Sequence, residues 1–549
     1  MKPSPAPAHD NVFESVLLAA LGLVCATAML VSLVAALAAA AFADGWLWTP
    51  PAALPDVLLA LPRHLGDPRR AWPAAMQGHL PTATAFYGTL AALLTAGGLA
   101  GRLALQRRRS VRSDPAALWA RGSELAPLAV HGPTPGRITL GTAGRRLLAA
   151  EARQSVIAIA PTQSGKTTGL AIPALLEWEG PVIATSVKTD LLRQTLAARK
   201  RCGNVRIFDP TSVTKEKPAS WTPLAACTEW QGARRVAGWL TESASPAKRG
   251  LADGDFWSAA AAKLLAPVLY AAARSDRTMR DVVRWLDTQE EDEIIEALEE
   301  APDSAVTVTA FNASLNRDDR QRSSVYTTAE TLLEAYSDPG VLHHSLKADI
   351  TPDWLLDGKP NTLYLSASVR EQRRLRPVFV TLIQEMVEAA YTRASLTGKP
   401  LNPGLLLILD EAANIAPLPD LDVLAATGAG QGVQLLTILQ DLAQAQDRWG
   451  RERADTIVNN HRAKIIGAGV SDTRTLEAVG RLLGDQQISQ ESSTEGDGRS
   501  STTRSTTWRS LAPPNVLRES AAGSAVLIYG TLPPARIRLR PWFANRRLR

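Results

Sequence analysis

The chain has 549 residues, of which 45% are hydrophobic and 21% are charged, enough apolar side chains for the packed cores of roughly two to four domains. Its three cysteines are scattered and form no Cys-x-x-Cys pair, which argues against a disulfide framework and against a cysteine-based zinc site. The formal net charge of +6 permits binding to nucleic acid or anionic lipid but requires neither.

The amino-terminal part contains two apolar stretches. Residues 15–43 carry no charged side chain and exceed the roughly 20 residues that cross a bilayer. Residues 82–101 are also uncharged and have about the minimum length. Five arginines follow within residues 102–112, so the positive-inside rule places the N-terminus and everything after them in the cytosol. We expect residues 1–112 to be a multi-pass anchor in the cell membrane, with transmembrane helices at about 15–43 and 82–105.

A cleaved signal peptide is the alternative for the first stretch, because Ala41-Phe42-Ala43 resembles a cleavage site. The apolar core is long for a signal peptide, and Asp10 and Glu14 precede it with only Lys2 opposing them. These features favour an anchor. Residues 44–81 are then a short loop outside the cytosol.

Residues 113–136 are mixed in character and contain proline, which predicts a linker. Short apolar runs then alternate with helical stretches, a pattern typical of a parallel sheet covered by helices. The alternation stops between residues 236 and 337, where only helical stretches occur. We therefore predict an α/β fold for residues 137–235 and 338–549, with a mainly parallel sheet and an all-α inserted domain at 236–337.

The predicted strands are short apolar runs. They lie at residues 156–160, 182–185, 205–208, 362–366, 405–409, 435–439, 464–467 and 524–529. Residues 488–507 are rich in Ser and Thr and poor in apolar side chains, which predicts a flexible connector or an exposed loop.

The most specific motif lies between the strand at 156–160 and a helical stretch. Residues 160–168 are Ala-Pro-Thr-Gln-Ser-Gly-Lys-Thr-Thr, which matches the phosphate-binding loop Gly-x4-Gly-Lys-[Ser/Thr] except that Ala160 replaces the first glycine. Alanine fits there if the position needs no positive φ. Backbone N–H groups at such a turn, together with the helix dipole, hold phosphate. A chance match in a loop is the alternative.

The loop chemistry assigns roles to its side chains. Lys166 reaches the β- and γ-phosphates of ATP, the Thr167 hydroxyl binds Mg²⁺, and Thr168 contacts the α-phosphate. The predicted nucleotide-binding residues are Thr162, Gln163, Ser164, Gly165, Lys166, Thr167 and Thr168.

An acidic pair follows the buried strand at 405–409. Asp410 and Glu411 lie at its carboxyl end, where open α/β sheets bind ligands. We predict that Asp410 holds the magnesium shell and that Glu411 polarises the water that attacks the γ-phosphate. A strand end meeting solvent is the alternative for the acidic pair alone. The acidic pair follows Gly-Lys-Thr in the chain, and the two motifs together in this order favour a nucleoside triphosphatase.

Gln440 ends the next strand and is the third predicted catalytic residue, beside Lys166 and Glu411. A polar side chain at that edge is placed to contact the γ-phosphate or the attacking water. The alternative is that Gln440 caps the following helix.

Taken together, these residues resemble the type IV coupling proteins, the TraG/TraD-like ATPases of conjugation and secretion systems. The resemblance covers roughly residues 137–540. Besides the phosphate loop and the two apolar amino-terminal stretches, it includes Ile172-Pro173, Phe208-Asp-Pro, Trp221-Thr-Pro-Leu, Phe256-Trp, Asp410-Glu-Ala-Ala-Asn-Ile-Ala-Pro-Leu-Pro and Leu439-Gln440.

The resemblance implies a RecA-like motor, usually a homo-hexameric ring, that uses ATP and Mg²⁺ to pass DNA, DNA–protein conjugates or proteins to a membrane channel. It also implies that the all-α domain meets the substrate and its relaxase or relaxosome. Residues 427–432 lack the arginine that relatives often carry there. Arg448, Arg451 and Arg462 are candidate substitutes for an arginine acting in trans.

Independent evidence for DNA is limited. The chain shows no helix-turn-helix or zinc finger, so we expect DNA, single-stranded, to be held without sequence readout. The arginines of residues 536–540 are placed either to touch nucleic acid or to form a solvated end. Two other functions compete. An FtsK-like translocase is opposed by the helical insertion, and a non-hydrolysing cargo receptor is opposed by the intact acidic pair and Gly-Lys-Thr.

Overall fold

The computed structural model describes residues 10–43, 45–108, 116–186, 189–244, 252–496 and 499–548. The chain divides into two compact units, Met1–Pro115 and Ala116–Arg549. The arginines at 109 and 112 and part of the predicted linker lie outside the described residues.

The first unit consists of helices α1 (Asp10–Phe42), α2 (Leu54–Ala60) and α3 (Ala83–Arg108) with short turns between them. In α1, Val24–Phe42 is apolar and long enough to cross a bilayer, whereas the apolar part of α3, Ala83–Leu99, is shorter. The segment between the two long helices is packed rather than a bare connection. Its buried Trp72 donates an indole hydrogen bond to Thr49 at 3.1 Å and meets the Phe86 ring edge-on.

The second unit is built on one sheet of twelve strands, in the order β1-β3-β2-β14-β13-β10-β4-β9-β8-β5-β7-β6. The seven from β10 to β6 in this order are parallel, and the rest are antiparallel. The twelve strands are β1 (Ala129–Val130), β2 (Thr139–Ala143), β3 (Arg146–Ala149), β4 (Val156–Ile159), β5 (Val182–Ser186), β6 (Val205–Phe208), β7 (Thr362–Ser366), β8 (Leu405–Leu409), β9 (Val433–Leu439), β10 (Ala463–Gly467), β13 (Ser524–Tyr529) and β14 (Ala535–Arg538). A separate two-stranded sheet is formed by β11 (Asp485–Gly496) and β12 (Arg499–Ser510). The predicted α/β fold with a mainly parallel sheet is confirmed.

Helices cover both faces of this sheet. Because side chains alternate along a strand, Ile157 and Ile159 of β4 enter one core, while Val156 and Ala158 enter the core on the opposite face. Every residue of β4 and β8 is buried, which explains why these strands are continuous apolar runs.

The remaining helices follow in chain order. They are α4 (Ile172–Glu177), α5 (Thr189–Cys202), α6 (Trp230–Ala244), α7 (Ala252–Arg274), α8 (Met279–Asp287), α9 (Asp292–Glu299), α10 (Ser304–Leu315), α11 (Asp319–Leu333), α12 (Pro339–His343), α13 (Pro352–Leu355), α14 (Gln372–Thr397), α15 (Ala412–Ile415), α16 (Leu421–Gln431), α17 (Leu442–Trp449), α18 (Arg451–Asn460), α19 (Thr473–Leu483) and α20 (Pro514–Arg518). Between β6 and β7, the described part of the chain contains helices α6 to α13 and no strand.

Helix α7 is the core helix of this helical part. Its segment Phe256–Arg274 is long and apolar enough to cross a membrane, yet most of that segment is buried inside the second unit. Buried side chains such as Leu264, Val268 and Tyr270 belong to the core shared with α6 and α11. Its apolar character therefore reflects packing within the protein.

Two polar segments differ from expectation. The predicted loop at 488–507 belongs to a long hairpin in which β11 pairs with β12. Its frequent threonines favour strands, although few of its residues are apolar. The arginine-rich tail is structured as well: Arg536 lies over the Trp119 ring at 4.5 Å, and Arg540 forms a 2.9 Å ion pair with Glu177. Both arginines thus contact other parts of the second unit, although Arg536 stays exposed.

Candidate functional site

The phosphate loop leaves the carboxyl end of β4 beside β9. The Ala160 N–H donates to the Leu439 carbonyl at 3.2 Å, which extends the pairing of the two strands into the loop. Gln163 and Gly165 adopt positive φ angles of 63° and 89°, whereas Ala160 does not. The replacement of the first glycine by alanine therefore places no strain on the backbone.

The Ala160 methyl group occupies a space that its neighbour leaves open. Gly467 ends β10, the strand on the other side of β4, and a Cβ at position 467 would lie 2.4 Å from the Ala160 Cβ. Such a distance is far below a van der Waals contact. Glycine at 467 is thus what makes alanine at 160 possible, a relationship that sequence reasoning missed because the two residues are distant in the chain.

Two side chains of the loop present polar groups inward. The buried Lys166 ammonium donates to the carbonyls of Ala160 and, at 3.0 Å, of Pro161. The Ser164 hydroxyl is buried and has no hydrogen-bond partner among the described residues. A buried hydroxyl without a partner and a buried ammonium, held here by two backbone carbonyls, are donors that fit the oxygens of a phosphate chain.

The helix behind the loop begins with a widened π-type turn, Thr167–Ala171, and continues as α4. Pro173 lies in the first turn of α4 and lacks an N–H, and its ring would crowd the Gly169 carbonyl of a regular helix. The widened turn relieves that crowding. Gly169 also allows close packing, because a Cβ there would lie 2.9 Å from the Leu539 Cβ.

The two halves of the predicted site meet across β9, which lies between β4 and β8. The Thr167 hydroxyl donates to the Asp410 carboxylate at 2.9 Å, although the two residues are 243 positions apart. Burial raises the pKa of Asp410, the Thr167 hydrogen bond opposes this and the charge of Glu411 supports it, and the resulting pKa is about 6. A divalent cation at this pair would favour the ionised carboxylate, so the donor set fits Mg²⁺.

Glu411 and Gln440 lie at the same edge of the sheet. Glu411 has a left-handed backbone conformation, with a φ of 57°, unusual for a residue other than glycine. The Asn414 amide lies 3.5 Å from its carboxylate. Gln440 accepts a hydrogen bond from the Gln444 amide at 3.2 Å. Asp441, and not Gln440, caps the following helix, so the alternative reading of Gln440 as a cap is wrong.

One acidic residue at this edge was not predicted. Asp190, in the first turn of α5, lies close enough to raise the pKa of Asp410 by its charge. Its position a few residues after β5, at the carboxyl end of a parallel strand, could have indicated its place at this edge. Residues 187 and 188, between β5 and α5, lie outside the described part. Among the candidate arginines, Arg462 precedes β10 at the opposite edge and pairs with Glu151 at 3.0 Å. Arg451 is exposed, and Arg448 lies near Arg376.

This sheet, its loop at the end of β4 and the carboxylates at the end of β8 define the class of P-loop nucleotide-binding folds. A family model described as type IV secretory system conjugative DNA transfer matches residues 121–549. The chain therefore belongs to this family, the type IV coupling proteins.

Named relatives agree with this assignment. The chain is similar to the conjugal transfer protein TraG of Escherichia coli, with 25% identity over 63% of this chain and 58% of the relative. It is also similar to the protein VirD4 of Rhizobium rhizogenes, with 24% identity over 76% and 63%. The chain thus spans about three fifths of the length of these relatives.

A solved structure shares the fold. The plasmid coupling protein TrwB in complex with ADP and Mg²⁺ superposes with a TM-score of 0.59 and 17% identity, over 78% of this chain and 94% of that chain.

Proposed function

We propose that this protein is a membrane-anchored ATPase motor that passes DNA, single-stranded and held without sequence readout, or DNA joined to protein, towards a type IV secretion channel. The observation that carries the proposal is the Thr167–Asp410 hydrogen bond, which joins the two motif halves in a chain of the coupling-protein family. The FtsK-like alternative is not favoured by these matches.

The residues of the site would have separate roles in ATP hydrolysis. Thr167 and Asp410 would hold Mg²⁺, which neutralises charge on the β- and γ-phosphates when bound. Lys166 and the N–H groups of the loop orient the triphosphate, and Glu411 accepts the proton of the attacking water. Gln440, directly after β9, lies between the loop and the acidic pair and is placed to sense the γ-phosphate.

The proposal extends to the setting of the motor. The apolar segment of α1 and the second apolar helix α3 support attachment to the cell membrane. Two membrane passes, with the N-terminus and the second unit in the cytosol, are proposed from the five arginines within residues 102–112, which follow the second apolar stretch. By family, a homo-hexameric ring and contacts with a relaxase or relaxosome and with channel proteins are the expected assembly.

ATP turnover tests the proposal. Lys166→Ala removes the phosphate contact and should abolish turnover, while the exposed Lys217→Ala should retain it. Glu411→Gln should bind ATP yet fail to hydrolyse it, because the base is lost and the metal site is kept. Single-stranded DNA should raise the turnover of the wild type. Turnover that survives in Lys166→Ala or Glu411→Gln would overturn the assignment.

A further inference from the structure

Two arginines outside the phosphate loop lie near each other on helices that follow parallel strands of the sheet. Arg376 lies in α14, which follows β7, and Arg448 lies in α17, which follows β9. Burial and, to a smaller extent, the charge of Arg376 together lower the pKa of Arg448 to about 10, while the charge of Asp447 opposes them. Burial likewise lowers the pKa of Arg376, with a contribution from Arg373. Arg376 is therefore near both Arg448 and Arg373.

The hydrogen bonds of the pair leave most of its donors unused. Among the described residues, Arg376 donates only to the Asn414 carbonyl, at 3.3 and 3.4 Å, and Arg448 donates to the Ser243 carbonyl. Within the described part of the chain, neither arginine forms an ion pair with a carboxylate. Each guanidinium has five N–H donors, and two half-buried cations side by side repel each other. An anion between them would remove that repulsion.

A third donor lies one helical turn away. Gln372 precedes Arg376 by four residues, so both lie on the same side of α14. Its side chain is only 7% exposed, and its amide nitrogen has no hydrogen-bond partner among the described residues. Buried donors without partners are rare in folded proteins and indicate a missing acceptor. Arg373 lies exposed between these two residues in the sequence.

We propose that Arg376 and Arg448, with Gln372, bind a phosphodiester group of the transported DNA strand. This inference rests on the proposed function and names the part of this chain that holds the substrate. Forked guanidinium groups match phosphate oxygens, and two of them from separate helices suit a backbone that moves past. The ATP phosphates have their own cation in Lys166.

The contacts of the pair connect the proposed site to two other parts of the second unit. The backbone carbonyl of Asn414 accepts hydrogen bonds from Arg376, and the side-chain amide of Asn414 lies 3.5 Å from the Glu411 carboxylate. The backbone carbonyl that accepts from Arg448 belongs to Ser243, near the end of α6 in the helical part. A DNA phosphate at this site would thus contact the junction of the helical part and the sheet, a few residues from the proposed catalytic base.

The test measures binding of a fluorescent oligothymidylate to the full-length protein in detergent. The double variant Arg376→Gln/Arg448→Gln should bind about tenfold more weakly, and its log affinity against log salt should be flatter by about 0.7, because the contact to one phosphate of a single strand is lost. The double variant Arg376→Lys/Arg448→Lys keeps both charges and should retain the salt slope. The matched control is Arg201→Gln/Arg481→Gln, which removes two exposed arginines from the last turns of α5 and α19.

The outcomes separate the possible errors. DNA affinity and salt slope equal to those of the control double variant would overturn the proposal. So would a loss of affinity for a labelled ATP analogue with unchanged DNA binding, because the phosphate would then be that of the nucleotide. A wild type that hydrolyses ATP but binds no oligothymidylate would overturn the DNA motor itself. If the glutamine pair fails to fold, the exposed Arg373→Glu provides a second measurement, and unchanged DNA affinity there would contradict the site.

Discussion

Ala160 and Gly467 share the space for one methyl group, since a Cβ at 467 would lie 2.4 Å from that of Ala160. We predict that Gly467→Ala displaces the start of the phosphate loop, with an overpacking cost of about 1–3 kcal/mol. Nucleotide affinity and the thermal midpoint should both fall. Adding Ala160→Gly to the same chain should restore them, as measured by titration with an ATP analogue and by thermal unfolding.

The control for this pair is Gly480→Ala in α19, where a Cβ would meet nothing within 4 Å. Alanine in a helix interior is favoured over glycine by roughly 0.5–1 kcal/mol, so this variant should be slightly more stable. Equal nucleotide affinity in Gly467→Ala and the wild type would show that the space is not shared.

The raised pKa of Asp410 predicts pH-dependent binding of the magnesium–nucleotide complex. Only the ionised carboxylate attracts a cation, so affinity should fall as the pH drops through about 6. Calorimetric titration with a non-hydrolysable ATP analogue and Mg²⁺ on either side of that pH measures the effect. Asp410→Asn should bind weakly throughout, and its remaining pH dependence reports the nucleotide's own titration. The same profile for wild type and variant would exclude Asp410 from the metal site.

Glu385 predicts a stability change that depends on pH. Its buried carboxylate accepts the Trp221 indole N–H at 2.6 Å, and burial raises its pKa to about 7. The folded state therefore keeps a proton that the unfolded state loses at lower pH. Stability then falls as the pH rises from the ordinary pKa of a glutamate, 4.5, towards 7. Glu385→Gln keeps an acceptor without a charge. Above pH 7 it should be more stable than the wild type, by up to about 3 kcal/mol.

Chemical denaturation at acidic and at alkaline pH measures this difference. Glu388→Gln, in the same helix but half-exposed, should change stability little at either pH. A Glu385→Gln variant that is no more stable at alkaline pH would show that the carboxylate is ionised without cost in the folded protein.

Arg199 is predicted to be among the most costly side chains to remove. It is 1% exposed, and its guanidinium donates to the Thr362 hydroxyl at 2.7 Å. It also donates to the carbonyls of Leu175, Trp178, Gly180 and Pro360. Arg199→Ala leaves these acceptors buried, so denaturation should show a loss on the order of 3–5 kcal/mol, and Arg199→Lys should recover little of it. Arg201→Ala, exposed in the same helix, should stay close to the wild type.

Sequence patterns located the parallel strands well, because strands buried on both faces are continuous apolar runs. Asp410 was expected at the edge that holds the phosphate loop, and Thr167 does reach it. The short antiparallel strands β1 to β3 and β14 and the hairpin were missed, because they are partly polar and bury fewer residues. Gly467 and Asp190 could not be assigned to the site, since their nearness depends on strand order rather than on any local pattern.

The position of β4 in the sheet has a consequence for synthesis of the protein. Its hydrogen-bonded neighbours are β9 and β10, so Val156 pairs with Leu436 and Ala463 and not with the strands that come next in the chain. A nascent polypeptide thus carries its phosphate loop on a strand without partners until β9, residues 433–439, has been synthesised. Such distant pairing slows folding, and it exposes this apolar strand to aggregation until about the last fifth of the chain begins to emerge.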